Sequence, residues 1–172
     1  TLTSATTVPL YTTPSGQMLP CVQVKIGEEA YIFGLGMNHG IHVGDRLAAE
    51  LGLEPEETKD RHFQPISTAE IDTMSIGALE LSGVTVQTKA PEGYNNDGDY
   101  ISHPLGWELD GYIGLASLDE IAWSIQPSTG QVIFAPLSEG PELISGLKDG
   151  ATYTWRETEM TVEKYGKAKV PI

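Results

Sequence analysis

Two runs of alternating apolar and polar residues near the N-terminus constrain the fold more than any other feature of this chain. The first run places apolar side chains at every second position, as Val22, Val24 and Ile26. After a turn at Gly27-Glu28-Glu29, a second run repeats the pattern with Tyr31, Phe33 and Leu35. Period-two alternation is typical of a half-buried strand, and a short glycine-containing connection joins antiparallel strands. The sequence therefore predicts a β-hairpin that leads into a tight loop over residues 33–40.

The spacing of apolar residues changes after this loop and predicts a short helix. Val43, Leu47 and Leu51 recur at intervals of four residues, which places them on one face of a helix. Asp45 falls in the first turn, and Gly52 follows the last apolar residue. Glycine at that position allows the left-handed backbone that commonly ends a helix. We therefore expect the helix to begin near Asp45 and to end before Gly52.

Further β-structure is predicted in the second half of the chain. Residues 110–114 read Asp-Gly-Tyr-Ile-Gly, a turn followed by two apolar residues and a glycine. Residues 123–126 and 131–134 are rich in apolar residues and are separated by a turn over residues 127–130. That turn begins with proline and ends with glycine, so the two flanking runs predict a second hairpin.

In this order, the segments from about residue 19 to residue 135 resemble the retropepsin-like family of single-lobe aspartic proteases. Residues 45–53 resemble the turn that follows the catalytic loop in that family and closes on Leu-Gly-Leu. Residues 110–114 resemble the family's second signature, through which the chain threads beside the catalytic loop. The resemblance implies a mainly β fold, with a single closed retropepsin-like (acid protease) β-barrel lobe and one short helix.

We expect three parts in the chain: an N-terminal extension over residues 1–18, the barrel over residues 19–135, and a C-terminal extension over residues 136–172 that packs on the barrel and contains an added hairpin. Residues 54–70 are charged and carry two prolines, which predicts a solvated connection with about one helical turn. Residues 88–108 are rich in glycine, proline and asparagine and predict a long loop, either a functional flap or a poorly ordered segment.

Length and charge restrict the classes of partner. The 172 residues, 40% of them hydrophobic, suffice for one globular domain, and no apolar run reaches membrane-spanning length. The formal net charge of -14 repels phosphate backbones and anionic lipid surfaces, so we expect neither nucleic acid nor a membrane as partner. The chain begins at Thr1, which indicates a trimmed or mature form. Because domains of the resembling layout are often exported, we expect a periplasmic or secreted location.

The loop that the resemblance identifies as catalytic contains no carboxylate. Aspartic proteases use two carboxylates that share one proton, and a single-lobe chain supplies one of them from an Asp-Thr-Gly tripeptide. Here Gly36 stands at the aspartate position, Met37 at the threonine position and Asn38 at the glycine position. Glycine has no titratable group, and methionine has no hydroxyl to brace the loop. We therefore expect no catalytic residue, and a binding site formed by Gly36, Met37, Asn38, His39 and Gly40 with Tyr112, Ile113 and Gly114.

Asp45 and Asp110 are the nearest other carboxylates. Asp45 is the first one downstream of the loop, and at a helix start an aspartate more often caps the helix than catalyses a reaction. Asp110 precedes the glycine of the second signature, where we expect it to form a turn. Two circumstances would instead make the protein an active aspartyl-type peptidase. The alignment with the family could be shifted, or the chain could be an inactivated variant in which glycine replaces a natural aspartate.

Cysteine and histidine give no basis for a cofactor. Cys21 is the only cysteine, so an internal disulfide is excluded, and its place at a predicted strand start favours a small buried apolar residue. His39, His42 and Asp45 are zinc ligands by residue type, but the sequence fixes no further ligand. We therefore expect no metal and no other cofactor.

These patterns favour a catalytically inactive aspartic protease-like domain that acts as a peptide- or protein-binding or assembly module. Its groove is expected beside residues 36–40 and beneath residues 88–108. A homodimer, or the residues of 137–172, is expected to cover the strand edges that a one-lobe barrel exposes. Two alternatives remain at this stage: an active aspartyl-type peptidase, and a structural domain of a larger exported protein.

Overall fold

β-Strands make up most of the described structure. The computed structural model describes residues 2–11, 20–36, 40–59, 65–89, 102–103, 107–143, 161–162 and 168–169. Its strands are β1 (Thr6–Pro9), β2 (Cys21–Ile26), β3 (Glu29–Gly36), β4 (Ile41–Val43), β5 (Glu56–Lys59), β6 (Pro65–Ile76), β7 (Leu79–Lys89), β8 (Ser102–His103), β9 (Trp107–Glu108), β10 (Gly111–Gly114), β11 (Ile121–Gln126), β12 (Gln131–Pro136), β13 (Thr161–Val162) and β14 (Ala168–Lys169). Helix α1 spans Asp45–Glu50, and 3-10 turns span Leu115–Ser117 and Leu137–Glu139.

Six of these strands close into a barrel. The larger sheet has the order β2-β3-β10-β4-β7-β6-β5, and β2 also pairs with β6. That second pairing places Lys25 opposite Ser75 and Ile26 opposite Met74, which joins the two ends of the six-strand series and leaves β5 outside the ring. The side chains buried in the core come from every part of this ring, and they include Val22, Val24, Phe33, Leu35, Met74, Ile76, Val86 and Ile113.

The first predicted hairpin is confirmed. β2 and β3 pair antiparallel, with Val22 opposite Phe33 and Val24 opposite Tyr31. Along β2 the alternation of the sequence becomes an alternation of burial, because Val22 and Val24 have no exposed surface while Gln23 is exposed. The hydrophobic effect holds this face inward, since burying apolar surface stabilises the fold by about 25 cal/mol per Å².

The predicted helix is also confirmed. Leu47 is fully buried on the inner face of α1, and Gly52 has a φ of +63° beyond its last turn. The Gly52 N–H donates to the carbonyl of Ala49, and the Leu53 N–H donates to the carbonyl of Ala48. These two bonds form the Schellman pattern that satisfies the carbonyls at a helix end. The helix is too short to be stable alone, so its packing through Leu47 holds it in place.

A second sheet of three strands has the order β1-β12-β11. β11 and β12 are the second predicted hairpin, with Trp123 opposite Phe134. β1 lies within the segment predicted as an N-terminal extension, and it pairs antiparallel with β12. The Thr6 hydroxyl also accepts a hydrogen bond of 3.2 Å from the Ala78 N–H in the β6–β7 turn. Part of the N-terminal segment is therefore a strand of the second sheet that also contacts the barrel.

The prediction of a connection with about one helical turn over residues 54–70 was wrong, although β5, the first strand found there, is solvent-exposed as expected. Residues 56–59 form β5, which pairs antiparallel with the start of β6 and places Glu57 opposite Ser67. All four side chains of β5 are exposed, so no apolar alternation marks the strand in the sequence. Pro65 begins β6 and does not interrupt it, since the first residue of a strand tolerates proline.

The predicted long loop and C-terminal hairpin fall mostly outside the described residues. Within residues 88–108, the structure describes the end of β7 and the antiparallel pair β8–β9. Near the C-terminus, β13 and β14 pair antiparallel, with Thr161 opposite Lys169. No helix in the described part of the chain combines the length and the apolar character that a membrane crossing requires.

Candidate functional site

β10 lies between β3 and β4, the two strands on either side of the loop that the sequence predicts before residue 41. Along one edge it pairs in parallel with β3, with Ile113 opposite Leu35 and Gly114 opposite Gly36. Along its other edge it pairs antiparallel with β4. β3 and β4 are neighbours in the sequence, yet β10 separates them in space. The segment over residues 110–114 therefore threads past the base of the loop, as the sequence predicts.

Gly40 connects the C-terminal end of the loop to the end of β10 and to the 3-10 turn that follows it. Its N–H donates to the Ser117 Oγ at 2.6 Å, and its carbonyl accepts from the Gly114 N–H at 2.8 Å. Its φ of +95° lies in the left-handed region, and a Cβ at this position would lie 3.2 Å from the His42 Nε2. The backbone conformation therefore favours glycine at this position, and a Cβ would in addition require the His42 ring to shift by a few tenths of an ångström.

The structure places the predicted binding residues in different surroundings. Gly36, Gly40 and Gly114 meet where β10 passes the two ends of the loop, and this place is called the crossing below. Ile113 is fully buried in the core, where its contribution is packing. Tyr112 is half-buried on the other face of β10. The remaining predicted residues, Met37, Asn38 and His39, lie outside the described residues.

Neither chain segment beside the crossing carries an acidic residue. Residues 30–44 contain no aspartate or glutamate, and neither do residues 111–118. Asp45 is exposed in the first turn of α1, and the N-cap of that helix is Gly44. The carboxylates nearest to the crossing along the chain are therefore Asp45 on one side and Asp110 on the other.

Asp110 is a structural anchor. Its Oδ2 accepts a hydrogen bond of 2.8 Å from the Ile32 N–H, and its Oδ1 pairs with the Arg46 guanidinium. Its own N–H donates to the Ile32 carbonyl, and its carbonyl accepts from the Gly44 N–H. The side chain is only 13% exposed. Its two oxygens, with the backbone bonds, connect β3, β10 and α1. The Asp110 side chain therefore joins segments that are far apart in the sequence, whereas the predicted role was to form a local turn.

A cavity of about 450 Å³ opens beside Gly40. Ile41, Ser117 and Leu118 line it on the side of the crossing, and residues 80–85 of β7 line it on the other side. None of these lining residues is basic, and Glu80 contributes a negative charge. The cavity joins the edge of the predicted site to a concave surface of a size that small ligands and single side chains occupy.

Three polar or aromatic side chains form a row across the outer face of β10, β4 and β7. Tyr112 lies opposite His42, and His42 lies opposite Gln87. The Tyr112 and His42 rings meet edge to face, with centroids 6.4 Å apart and an interplanar angle of 66°. Ile41 and Val43, on either side of His42, point into the core, so His42 points away from it. Burial lowers the pKa of the His42 imidazole and raises the pKa of the Tyr112 hydroxyl.

The lowered pKa of His42 predicts a loss of stability in weak acid. Its ordinary value is 6.5, and the folded state favours the neutral ring. Below that pH the unfolded chain takes up the proton more readily, so the stabilising effect is present above pH 6.5 and is lost as the pH falls through the folded-state pKa. We expect urea unfolding of the wild type to become easier between about pH 7 and pH 5 relative to a His42→Gln variant, whose side chain does not titrate. An unchanged difference between the two proteins across this range would contradict the expectation.

Cys21 is buried, as predicted. It begins β2, has no exposed surface, and burial raises the pKa of its thiol to about 11. At neutral pH the thiol therefore stays protonated, and the thiolate form that reacts with electrophiles or binds metals is scarce. Cys21 acts in this fold as a small core residue.

The histidines are not gathered into a described metal centre. Within the residues that the structure describes, no group of three or more His, Cys, Asp or Glu side chains is placed to hold a metal ion. His42 lies in the outer row described above, and His39 is outside the described residues. The expectation that the protein needs no metal stays a prediction.

Ser117 and Gln87 belong to the site although the sequence does not point to them. Ser117 becomes part of it through a hydrogen bond to Gly40, and Gln87 through the cross-strand position opposite His42. Both relationships join segments that are far apart in the chain. A serine after an apolar run, or a glutamine within a strand, carries no signal of such a contact.

Comparison with solved structures places this geometry in a known fold. The chain is similar to the crystal structure of a retropepsin-like aspartic protease from Rickettsia conorii, with a TM-score of 0.53 and 11% sequence identity. The match covers 78% of this chain and 94% of that chain. No protein-family profile and no curated protein matches the sequence. At this identity the likeness shows the fold alone, and it confirms the predicted class: a mainly β, closed barrel lobe of the retropepsin type with one short helix.

Proposed function

We propose that this retropepsin-like lobe is catalytically silent and binds a peptide segment or a partner protein beside Gly36 and Gly40. The observation that carries the proposal is the absence of any acidic residue from residues 30–44 and 111–118, the two segments that meet where β10 threads past the loop. Aspartic proteolysis requires a carboxylate that can act as a general base toward water. The fold's crossing is retained here without that group.

The local bonding supports a binding role for the crossing. Gly40 is held by Ser117 and Gly114, and β10 pairs on both edges, so the floor of the site is fixed before any partner arrives. A rigid floor reduces the ordering cost of binding. The adjoining cavity of about 450 Å³ offers room for a side chain of the partner.

The assembly part of the proposal concerns strand edges that have no partner strand among the described residues. β5 is an end strand of the larger sheet, and β11 is an end strand of the three-stranded sheet. β5 carries exposed Glu56, Glu57 and Lys59, and such charges on an edge strand oppose non-specific pairing with the edge of another sheet. A homodimer, or the C-terminal residues, would cover the edge of β11, and light scattering on the full chain distinguishes the two arrangements.

Catalytic silence is tested with the unmodified protein and a mixed peptide library at roughly pH 3 to 6, where a carboxylate pair holds one proton. We expect no cleavage above background, because loss of general acid and base catalysis alone removes about 10² to 10⁴ in rate. Pepstatin-sensitive cleavage would overturn the proposal and establish the alternative of an active peptidase.

Binding is tested on an array of peptides with the same preparation, and the variant Gly36→Asp/Met37→Thr/Asn38→Gly provides the comparison. We expect the wild type to retain specific peptides without cleaving them. A gain of pepstatin-sensitive cleavage in the triple variant would verify the register that places Gly36 at the aspartate position. If the wild type neither binds nor cleaves any peptide, the result would favour the remaining alternative, a structural domain of a larger exported protein.

A further inference from the structure

A second cavity lies next to the one beside Gly40. It has a volume of about 620 Å³ and shares Leu81, Ser117 and Leu118 with the first. Its further apolar walls come from the N-terminal segment, from β7, and from the start and end of the β11–β12 hairpin, as Leu2, Leu79, Ile121, Pro136 and Leu137. The two cavities are therefore adjacent, the first beside Gly40 and the second beside the β11–β12 hairpin.

Leu137 stands at the rim of this second cavity with its side chain exposed. It is 61% exposed, and among the described residues the only other large hydrophobic side chain classed as exposed is Tyr11. An apolar rim beside an apolar cavity is the composition of a surface that another polypeptide covers.

The charge at the second cavity is of one sign. Asp119 and Glu120 line this cavity, and both side chains are exposed. None of the residues that line it is basic, and most of them come from residues 117–138, a segment that contains no lysine or arginine. Exposed carboxylates beside an apolar cavity attract a cationic group from a partner.

Glu120 occupies its position in an unfavourable backbone conformation. Its φ is +63°, and it is the one described non-glycine residue with a positive φ. Its carbonyl accepts a hydrogen bond of 2.8 Å from the Leu137 N–H, so the same turn fixes the acidic side and the apolar side of the rim. Conformational strain of this kind is concentrated at functional positions of proteins.

From these observations we propose that the second cavity binds an extended polypeptide segment in which an apolar side chain is followed by a basic one. The apolar side chain enters between Leu118, Ile121 and Leu137, and the basic side chain pairs with Asp119 or Glu120. The inference rests on the proposed function in one respect, since both assign polypeptide binding to the same end of the barrel. It adds the chemical class of the partner and the place where that partner is recognised.

Charge also decides between a foreign partner and a second copy of this chain. With a net charge of -14, a second copy would bring further negative charge to an acidic rim. Like charges placed across an interface oppose association, whereas a basic segment gains attraction and a faster encounter rate. The surface is therefore suited to a cationic partner.

The test uses the full chain and three synthetic peptides with alternating residues: leucine and arginine, leucine and glutamate, and serine and arginine. We expect the leucine–arginine peptide to bind most tightly by fluorescence anisotropy, with an affinity that weakens as salt is raised. Equal binding of the serine–arginine peptide would overturn the role of the apolar cavity. Equal binding of the leucine–glutamate peptide would overturn the role of the acidic rim.

Two variants locate the interaction, and a third controls for net charge. We expect Asp119→Asn/Glu120→Gln to weaken the leucine–arginine peptide about tenfold, and Leu137→Ser to weaken it by a similar factor. The control, Glu28→Gln/Glu29→Gln, removes the same charge from the exposed β2–β3 turn, at the opposite end of β3 from Gly36. We expect less than about a twofold effect there. Equal weakening by both charge variants means attraction to the protein as a whole and contradicts the proposal.

Amide chemical shifts separate this inference from the proposed function. Peptide-induced shifts at Ile121 and Leu137 together with Gly40 support both. Shifts at Gly40 and Ile41 alone retain the proposed function and overturn the second cavity. Shifts at Ile121 and Leu137 alone retain the second cavity and overturn binding at the crossing. Binding of one copy to another by analytical ultracentrifugation, blocked by Leu137→Ser, would overturn the assignment to a foreign partner.

Discussion

Gly111→Ala is expected to destabilise the fold by about 3 kcal/mol or more, which is a large part of the 5–15 kcal/mol that typically separates folded and unfolded states. Gly111 faces the core at the start of β10, directly beside the Phe33 ring. A Cβ at this position would lie 2.2 Å from the Phe33 Cε1 and 2.6 Å from the His42 carbonyl oxygen. Neither group has room to retreat, since Phe33 has no exposed surface and the oxygen belongs to the backbone of β4. Thermal unfolding should show a melting temperature lower by about 10 °C.

Gly140→Ala is the matched control for this substitution. Gly140 is also buried, but a Cβ there would lie 3.4 Å from the Ala122 Cβ, close to an ordinary contact distance. A second comparison combines Gly111→Ala with Phe33→Leu, which removes the ring atoms that clash. We expect partial recovery relative to the sum of the two single effects, because the backbone contact with His42 stays. Equal melting temperatures of the Gly111→Ala and Gly140→Ala proteins would show that β10 does not sit this tightly between its neighbours.

Asp110→Ala is expected to cost about 2 to 4 kcal/mol of folding free energy without a selective effect on binding. The substitution removes the acceptor of the Ile32 N–H and the partner of Arg46 at once. An N–H left without an acceptor at a partly buried site costs more than the bond itself contributes. Urea unfolding measures the loss, and peptide affinity measured well below the unfolding midpoint should stay within about twofold of the wild type.

Two milder variants separate the contributions of Asp110. Asp110→Asn keeps an oxygen for the Ile32 N–H and loses the negative charge, so we expect about 1 kcal/mol of destabilisation. Arg46→Met leaves the Ile32 bond intact, and its expected cost is smaller, about 0.5 kcal/mol, because the Arg46 side chain is 61% exposed. If Asp110→Ala abolished binding at full stability, Asp110 would belong to the site and its role as an anchor would be wrong.

The parts of the fold that could be predicted are those in which burial follows a period in the sequence. The β2–β3 hairpin is one example, because Val22 and Val24 alternate with exposed residues in both the sequence and the structure. Helix α1 is another, since Leu47 and Gly52 mark its buried face and its end. β5 gave no such signal, because an edge strand with four exposed side chains has no apolar period.

The candidate site was predictable only at its glycines. The glycine at residue 40 and the glycines of residues 110–114 mark places where backbones approach closely, and the resemblance to a family supplied their order. The remaining contacts are set by tertiary pairing. Ser117 meets Gly40, and Gln87 stands opposite His42, only because β10 and β7 come to lie on either side of β4. No local property of a serine or a glutamine encodes the strand that will lie beside it.

The threading of β10 also bears on how the chain behaves while it is being made. The hairpins β2–β3 and β6–β7 join segments close in sequence and can form early, without closing a long loop. β3 and β4, in contrast, face a gap that only β10 fills, and β10 emerges from the ribosome well after both of them. During that interval the facing edges of β3 and β4 are open to pairing with another chain. Intermolecular strand pairing is therefore the characteristic hazard of this topology during synthesis, and it ends when residues 111–114 enter the gap.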